Sequence, residues 1–169
     1  MKNLFIKTTI KKSNNITEIT NTLFSTFFHF LKLKLDHFLT EKFLLNYIKK
    51  KGKPELIICH FAFPTGNSAY KISKKFKIPY IIVEHSTGYF TGLYNNFQIK
   101  VIKKSLQNSN SIVAVSSFLK NRLKNFTNKK ITIIGNIVDK KFFYLKKKKI
   151  KKKICNFLIV SELVKKKQI

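Results

Sequence analysis

Residues 54–88 have the sequence PELIICHFAFPTGNSAYKISKKFKIPYIIVEHSTG, and this stretch determines the fold prediction. Two apolar runs, LIIC at 56–59 and YIIV at 80–83, lack the alternation of half-exposed strands. Such runs are typical of strands that helices cover on both faces. Between them, apolar side chains recur at helical spacing from Ala69 to Phe76, with lysines on the opposite side. The stretch therefore predicts a strand, a core-facing helix and a second strand.

The same alternation continues to residue 135. Its further members are a helix from Phe97 to Leu106, a strand SIVAV at 111–115, a helix capped by Ser116 and Ser117, and a strand ITIIG at 131–135. Strands that alternate with helices form βαβ units, in which the strands run parallel. We therefore predict an α/β fold with a Rossmann-like parallel sheet.

The first fifty residues are predicted to hold one strand and a helical segment. NLFIKTTI at 3–10 is a short run rich in β-forming residues, and KKSNN at 11–15 is a polar break. Over 16–51, Leu, Phe and Tyr recur every three or four residues, so we expect one or two amphipathic helices. Asn21 or Thr22 is the candidate cap of this segment.

The C-terminal part changes character after Asp139. A lysine-rich run at 140–153 is typical of a solvated linker, and ICNFLIV at 154–160 predicts a fresh strand followed by the start of a helix. We expect a partial Rossmann-like domain over 1–139, an interdomain linker over 140–153, and the truncated start of a second domain over 154–169.

The charge of the chain is strongly positive but is weak evidence of function. There are 35 basic and 7 acidic residues, a net charge of +28, yet Arg122 is the single arginine. Abundant Lys, Ile, Asn and Phe are what A/T-rich codons produce without selection for a polyanionic partner. A nucleic-acid binder would more often use arginine, whose planar fork contacts phosphates and guanines at two points. A small basic nucleic-acid-binding protein stays an alternative, and contact with an anionic membrane surface is another consequence of this charge.

Several classes of protein are disfavoured by what the sequence lacks. Cys59 and Cys155 are far apart in apolar runs, which indicates buried thiols in a reducing cytoplasm. Neither a secretion signal nor a membrane-spanning run is recognisable, because charged residues interrupt the apolar stretch at 23–39. Metal-ligand spacing, a phosphate-binding P-loop, a dinucleotide fingerprint and a nucleophile elbow are also missing. We expect a cytoplasmic protein without a metal or a tightly held cofactor, peripheral to the membrane at most.

Polar residues follow each apolar strand run and should meet at one edge of the sheet. Ligands bind at the carboxyl ends of parallel strands, where loops and helix N-termini converge. His60 and His85 should stand on neighbouring strands and face one crevice, which suits hydroxyl or phosphate binding and proton transfer. The candidate site residues at this edge are His60, Glu84, His85, Ser86, Ser116 and Asn136.

Each candidate also has a structural interpretation. A histidine after a strand is more often a satisfied loop residue than a catalyst, which for His60 alone is the favoured interpretation. Glu84 can orient the His85 ring or can point to the opposite side of the strand. Ser116 is first of all a helix cap.

Four ordered segments resemble family 4 glycosyltransferases of the GT-B type. They are ELIICHFAFPTGNSAYKISKKFKIPYIIVEHSTG at 55–88, SNSIVAVSSFLKNRLKNF at 109–126, KKITIIGNIVDKKFF at 129–143 and NFLIVSELVKKKQI at 156–169. The resemblance implies two Rossmann-like domains, with an acceptor bound by the N-terminal one and a nucleotide-diphosphate sugar by the C-terminal one. It further implies sugar transfer with retention of configuration to a saccharide or lipid-linked acceptor, without a required metal.

The resemblance also assigns roles to single residues. His85 matches the active-site histidine, and His60 matches the histidine that closes the preceding strand. Gly66 and Asn136 fall within the matching motifs on the substrate side, and Lys167 matches the lysine that grips the donor diphosphate.

Departures from the family pattern occur on both sides of the matching segments. The usual first strand and its Gly-rich loop are missing, since NLFIKTTI at 3–10 aligns better with a later strand, and the donor side differs as well. Glu162 stands where the diphosphate-binding arginine is expected, and Gln168 replaces a glycine. A carboxylate at that position repels phosphate. We therefore expect an internal fragment that carries most of an acceptor domain and is inactive alone. Another GT-B enzyme, such as a sugar epimerase, is the second alternative.

Overall fold

The computed structural model describes residues 6–13, 16–23, 29–144 and 158. The elements are β1 (Ile6–Ser13), β2 (Ile16–Leu23), α1 (His29–Lys51), β3 (Ile57–His60), α2 (Thr65–Phe76), β4 (Tyr80–Glu84), α3 (Asn96–Asn108), β5 (Ser111–Ala114), α4 (Ser117–Leu123) and β6 (Ile131–Ile133). Within the described residues, no helix is long and apolar enough to cross a membrane.

The central sheet has four strands in the order β3-β4-β5-β6, all parallel. Helices alternate with these strands along the chain, as the repeated pattern of the sequence predicts. The prediction of an α/β fold with a Rossmann-like parallel sheet is confirmed.

One face of this sheet forms the core. Cys59, Ile82, Ile112 and Ile131 are partners in register across the four strands and are at most 5% exposed. Because register partners in a parallel sheet project to the same side, they form one apolar row. The side chains packed with them come from the helices: Ala69 of α2, Ile102 and Leu106 of α3, and Leu119 and Leu123 of α4.

The opposite face is less covered at β3. Ile58, whose register partner is Ile81, is 59% exposed. The expectation that LIIC is covered on both faces was therefore wrong for this strand. A run of consecutive apolar residues does not distinguish a central strand from the outer strand of the sheet, where one side of a residue can remain open.

The N-terminal part forms an antiparallel hairpin of β1 and β2, with Ile6 opposite Leu23 and Ser13 opposite Ile16. The predicted helix over 16–51 was thus wrong for 16–23, and neither Asn21 nor Thr22 caps a helix. The segment ITEITNTL is rich in β-branched residues, which favour a strand once a partner strand is adjacent. Helix α1 begins at His29 instead.

The chain divides into two compact units, Met1–Asn136 and Ile137–Ile169. In the second unit, residues 137–144 are described and exposed. Apart from Leu158, the predicted strand at 154–160 and the helix after it lie outside the described residues. The predicted boundaries at 139 and 153 stay predictions.

Candidate functional site

The carboxyl ends of β3 and β4 bring two histidines together. His60 is the last residue of β3, and His85 directly follows β4. Since His60 pairs in register with Val83, His85 lies two residues beyond that partner on the adjacent strand. His60 is exposed and His85 is partly exposed, so both rings are accessible at this edge.

The two imidazoles form a direct hydrogen bond. His60 Nδ1 and His85 Nε2 are 3.0 Å apart. The ring planes are inclined by 25°, and the ring centres are 5.2 Å apart. This separation exceeds the N···N distance by about two ring radii, so both nitrogens lie close to the line joining the centres. The rings therefore meet edge to edge, in the geometry of an N–H···N hydrogen bond.

This bond couples the protonation of the two rings. A neutral imidazole has one N–H donor and one acceptor nitrogen. If His60 donates through Nδ1, its Nε2 is an acceptor and His85 carries its proton on Nδ1. If His85 donates through Nε2, the two outer nitrogens exchange these roles. In both arrangements the pair presents one acceptor nitrogen and one N–H group, which suits accepting a proton at one end and releasing one at the other.

The same geometry leaves no room for a metal ion in line between the two rings. A zinc–nitrogen bond is about 2.0–2.1 Å long, so an ion in line between the rings would require a wider N···N gap than 3.0 Å. In the part of the chain that the structure describes, no group of three or more His, Cys, Asp or Glu side chains could hold a metal.

The loop after β3 turns sharply at Phe61, whose φ is 71°. This left-handed conformation is uncommon for a bulky residue and persists where surrounding contacts enforce it. Phe61 N donates to Val83 O at 3.0 Å, and Phe61 O accepts from Thr65 Oγ1 at 2.9 Å and from Gly66 N at 3.1 Å. The Phe61 ring lies 5.5 Å from the His85 ring, centre to centre. The first turn of α2 thus fixes the loop that follows His60.

Glu84 lies behind the histidine pair and is fully buried. Its side chain projects to the core face of β4, so the alternative that it points away from the crevice matches the structure. Its Oε1 accepts from the backbone N–H groups of His85 and Ser86 at 2.9 and 2.8 Å. Its Oε2 accepts from Ala62 N at 2.8 Å and from the Tyr89 hydroxyl at 2.7 Å.

Ser86 belongs to a second set of contacts in the loop after β4. Its hydroxyl accepts from Gly88 N at 3.0 Å and lies 2.7 Å from the Tyr94 hydroxyl. Tyr89 contacts Tyr94 and Phe126 edge to face, with ring centres 5.3 and 5.0 Å apart. Sequence reasoning missed both tyrosines as supports of the site. The signal was their place in the loop that directly follows Glu84-His85-Ser86.

Burial changes the acidity of the groups beneath the site. It raises the pKa of the Tyr89 phenol, and the charge of Glu84 raises that pKa further. Burial also raises the pKa of Tyr94 and of the thiol of Cys59, which lies on the core face of β3. These groups therefore remain protonated and neutral at physiological pH.

The other predicted site residues lie in different surroundings. The Ser116 hydroxyl accepts from Leu119 N at 3.1 Å and caps α4, which confirms its structural role. Gly66 is buried where α2 approaches α3, and Asn136 is exposed beyond the end of β6. Among the described residues, no hydrogen bond joins Ser116 or Asn136 to either imidazole. Lys167 lies outside the described residues, and the substrate-binding roles of the whole set stay predictions.

An open apolar groove of about 810 Å³ lies beside His60. It runs between α1, β3 and the start of α2, and its apolar lining includes Leu39, Phe43, Leu44, Ile58 and Ile72. The groove therefore connects an apolar surface with the histidine at the end of β3.

In sequence, the chain is similar to known glycosyltransferases. The model of the family described as Glycosyltransferase Family 4 matches residues 11–142, well over half of the chain. A protein of Methanocaldococcus jannaschii described as an uncharacterized glycosyltransferase is 31% identical over 100 residues. That match covers 59% of this chain and 28% of the relative, so the chain spans less than a third of the relative's length.

Proposed function

Since the chain belongs to glycosyltransferase family 4, we propose that it supplies the acceptor side of an enzyme that transfers a sugar from a nucleotide-diphosphate sugar. The acceptor is a saccharide or a lipid-linked saccharide, and the transfer retains the anomeric configuration. No cofactor is required beyond the sugar nucleotide, which is a co-substrate.

The observation that carries this proposal is the hydrogen-bonded pair of His60 and His85 at the carboxyl edge of the parallel sheet. An acceptor hydroxyl must be held in place and must lose its proton as the new glycosidic bond forms. An accessible imidazole with an acceptor nitrogen can take a hydrogen bond from that hydroxyl. The hydrogen bond couples the tautomers of the two imidazoles, so in either arrangement one outer nitrogen of the pair is an acceptor.

The donor side of the reaction needs groups that stabilise negative charge. When the bond between sugar and phosphate breaks, negative charge builds up on the leaving diphosphate. We propose that Lys167 contributes to its neutralisation, and that His85 orients the acceptor hydroxyl or the transferred sugar. Because the chain is much shorter than its relative, we expect no turnover of nucleotide sugars by the chain alone.

The proposal is tested by acceptor binding, which does not require turnover. The chain is labelled with ¹⁵N and titrated with monosaccharides, disaccharides and a short-chain lipid-linked saccharide, while histidine ring signals are followed by NMR. The titration includes a lipid-linked saccharide because an apolar groove lies beside His60. We expect at least one acceptor class to shift the ring signals of His60 and His85 together, and His85→Ala to weaken that binding about tenfold, the equivalent of one lost hydrogen bond.

His37→Ala is the matched control, because His37 lies on α1 and contacts Glu41 instead of the pair. It should leave acceptor binding unchanged. Binding of nucleotide sugars but of no acceptor at the histidine pair would contradict the assignment to the acceptor side. An absence of any saccharide response at these rings, with the fold intact, would contradict the transferase proposal itself.

A further inference from the structure

We propose that Glu84 is a positioning residue whose buried carboxylate ties the loop that follows His60 to the loop that begins at His85, and thereby sets the hydrogen bond between the imidazoles. The inference rests on the proposed function only in treating this pair as the reacting site. The geometric claim concerns the chain itself and can be tested without a substrate.

The first argument is the number and origin of the donors. Glu84 receives four hydrogen bonds, three of them from backbone N–H groups, at distances between 2.7 and 2.9 Å. One donor, Ala62 N, belongs to the loop after β3, two residues beyond His60. Two others, His85 N and Ser86 N, belong to the loop after β4. One planar group therefore spans the two chain segments that hold the rings.

The second argument is the chemistry of the carboxylate. Both oxygens only accept hydrogen bonds when the group is ionised, so each can take two donors. A glutamine has the same shape but only one acceptor oxygen, and its NH₂ group would face backbone N–H groups that also donate. Substitution by glutamine thus leaves one of the two loops without its contact in either orientation of the amide.

The third argument is burial. The Glu84 side chain is 0% exposed, and all four of its donors are neutral groups. A buried carboxylate is tolerated where hydrogen bonds replace its hydration, and the loss of those bonds is costly. The backbone contacts from both loops therefore have to be maintained together, which restricts Ala62 and His85 to one relative position.

The test uses the full chain with ¹⁵N-labelled histidine. Spectra of the ring nitrogens report the tautomers, and a correlation across the N–H···N bond reports the contact between His60 and His85. Single His60→Gln and His85→Gln variants assign the signals. We expect the parent chain to show this correlation and Glu84→Gln to lose it, while methyl signals of Ile82 and Leu106 remain at their native positions.

Tyr89→Phe is the matched control. It removes one donor to Glu84 but leaves the three backbone contacts, so the correlation between the rings should persist. A correlation that survives in Glu84→Gln at full strength would overturn the proposal, and so would its equal loss in both variants.

A measurement on the parent chain covers the case in which Glu84→Gln does not fold. The amide protons of Ala62, His85 and Ser86 should exchange with solvent at similar, slowed rates, since one carboxylate holds all three. Exchange of Ala62 at least tenfold faster than that of His85 would show that the loops are not tied together, and would overturn the proposal. Acceptor binding is measured separately, so failure of the transferase proposal leaves this result interpretable.

Discussion

Gly66 allows α2 to approach α3 and the turn after His60 closely, because it has no Cβ atom. A Cβ atom built on Gly66 would lie 3.2 Å from Ser105 Cβ and 3.3 Å from Phe61 O. Both neighbours are held by backbone, in α3 and in the turn after His60. The close packing around residue 66 therefore favours glycine at this position, independently of any role in substrate binding.

Gly66→Ala should destabilise the chain by about 1–2 kcal/mol, because the added methyl group forces α3 or the Phe61 turn to move. The gain in helix propensity does not offset this, since Gly66 is only the second residue of α2. Urea denaturation of both proteins measures the difference. Gly135→Ala is the control, because a methyl group added there would meet Val115 O as its nearest atom, at 4.0 Å. Equal stability of the two variants would contradict this account.

The residues of the site were predictable to different degrees. His60 and His85 could be placed at one edge because each follows an apolar strand run and parallel strands end on the same side. The hydrogen bond between their rings could not be predicted. It depends on the two-residue offset between His60 and His85 along neighbouring strands and on the turn at Phe61. The four donors to Glu84 come from positions up to 22 residues away, and no local pattern indicates such convergence.

At the scale of elements, capping explains where the helices begin. Ser116 caps α4, and Asn95 forms a capping box with Gln98 at the start of α3. Both caps are visible in the sequence, although only that of Ser116 entered the prediction. The N-terminal hairpin was not predictable in this way, because the apolar spacing over 16–23 fits a helix and the competing strand pairing with β1 is a tertiary contact.

Ser116→Ala should lower the free energy of unfolding by about 1 kcal/mol, since Leu119 N loses its acceptor at the first turn of α4. Ser117→Ala is a matched control on the adjacent, exposed position and should change stability by less than about 0.5 kcal/mol. Chemical denaturation of the two variants provides the comparison. A larger loss of stability in the Ser117 variant would show that Ser116 is not the residue that caps α4.

The packing of α3 on the sheet depends on Leu106, which is fully buried. Leu106→Ala should cost about 2–5 kcal/mol through lost burial and the cavity that remains. Leu93→Ala provides the comparison, because Leu93 is 70% exposed in the loop before α3 and its truncation should be nearly neutral. Thermal unfolding followed by circular dichroism distinguishes the two, and similar melting temperatures would contradict a core built around Leu106.

At the scale of the whole molecule, a net charge of +28 sets the behaviour toward anionic surfaces. The last turn of α1 contributes Lys49, Lys50 and Lys51, all exposed. If α1 mediates contact with a membrane, these lysines should contribute more to membrane binding than lysines elsewhere on the surface.

We therefore expect the chain to sediment with vesicles that contain anionic lipid and not with neutral ones. Changing all three α1 lysines to glutamate should weaken this binding by more than about 100-fold, at about 1 kcal/mol for each lost lysine. The control changes Lys103, Lys124 and Lys130 to glutamate, which alters the net charge equally. Equal effects of the two triple variants would show that only total charge matters, and equal binding to both vesicle types would contradict membrane contact.

The stability of the folded chain at high pH depends on its buried tyrosines. Burial raises the pKa of Tyr80, Tyr89 and Tyr94 above the ordinary value of about 10. The folded chain thus keeps phenolic protons that the unfolded chain releases. Their stabilising contribution is complete below about pH 10 and is lost as the pH rises above it.

The Tyr89→Phe variant isolates one of these groups. Between about pH 10 and 12, the free energy of unfolding of the parent should fall relative to that of the variant by about 1.4 kcal/mol per pH unit, because the folded parent retains a phenolic proton that the unfolded parent releases. Loss of lysine charge over the same range affects both proteins equally, so the difference between them removes it. Urea denaturation at several pH values, with tyrosinate absorbance as a second signal, measures this slope. A constant difference across the range would mean that Tyr89 ionises in the folded chain as readily as in the unfolded one, which is incompatible with its burial against Glu84.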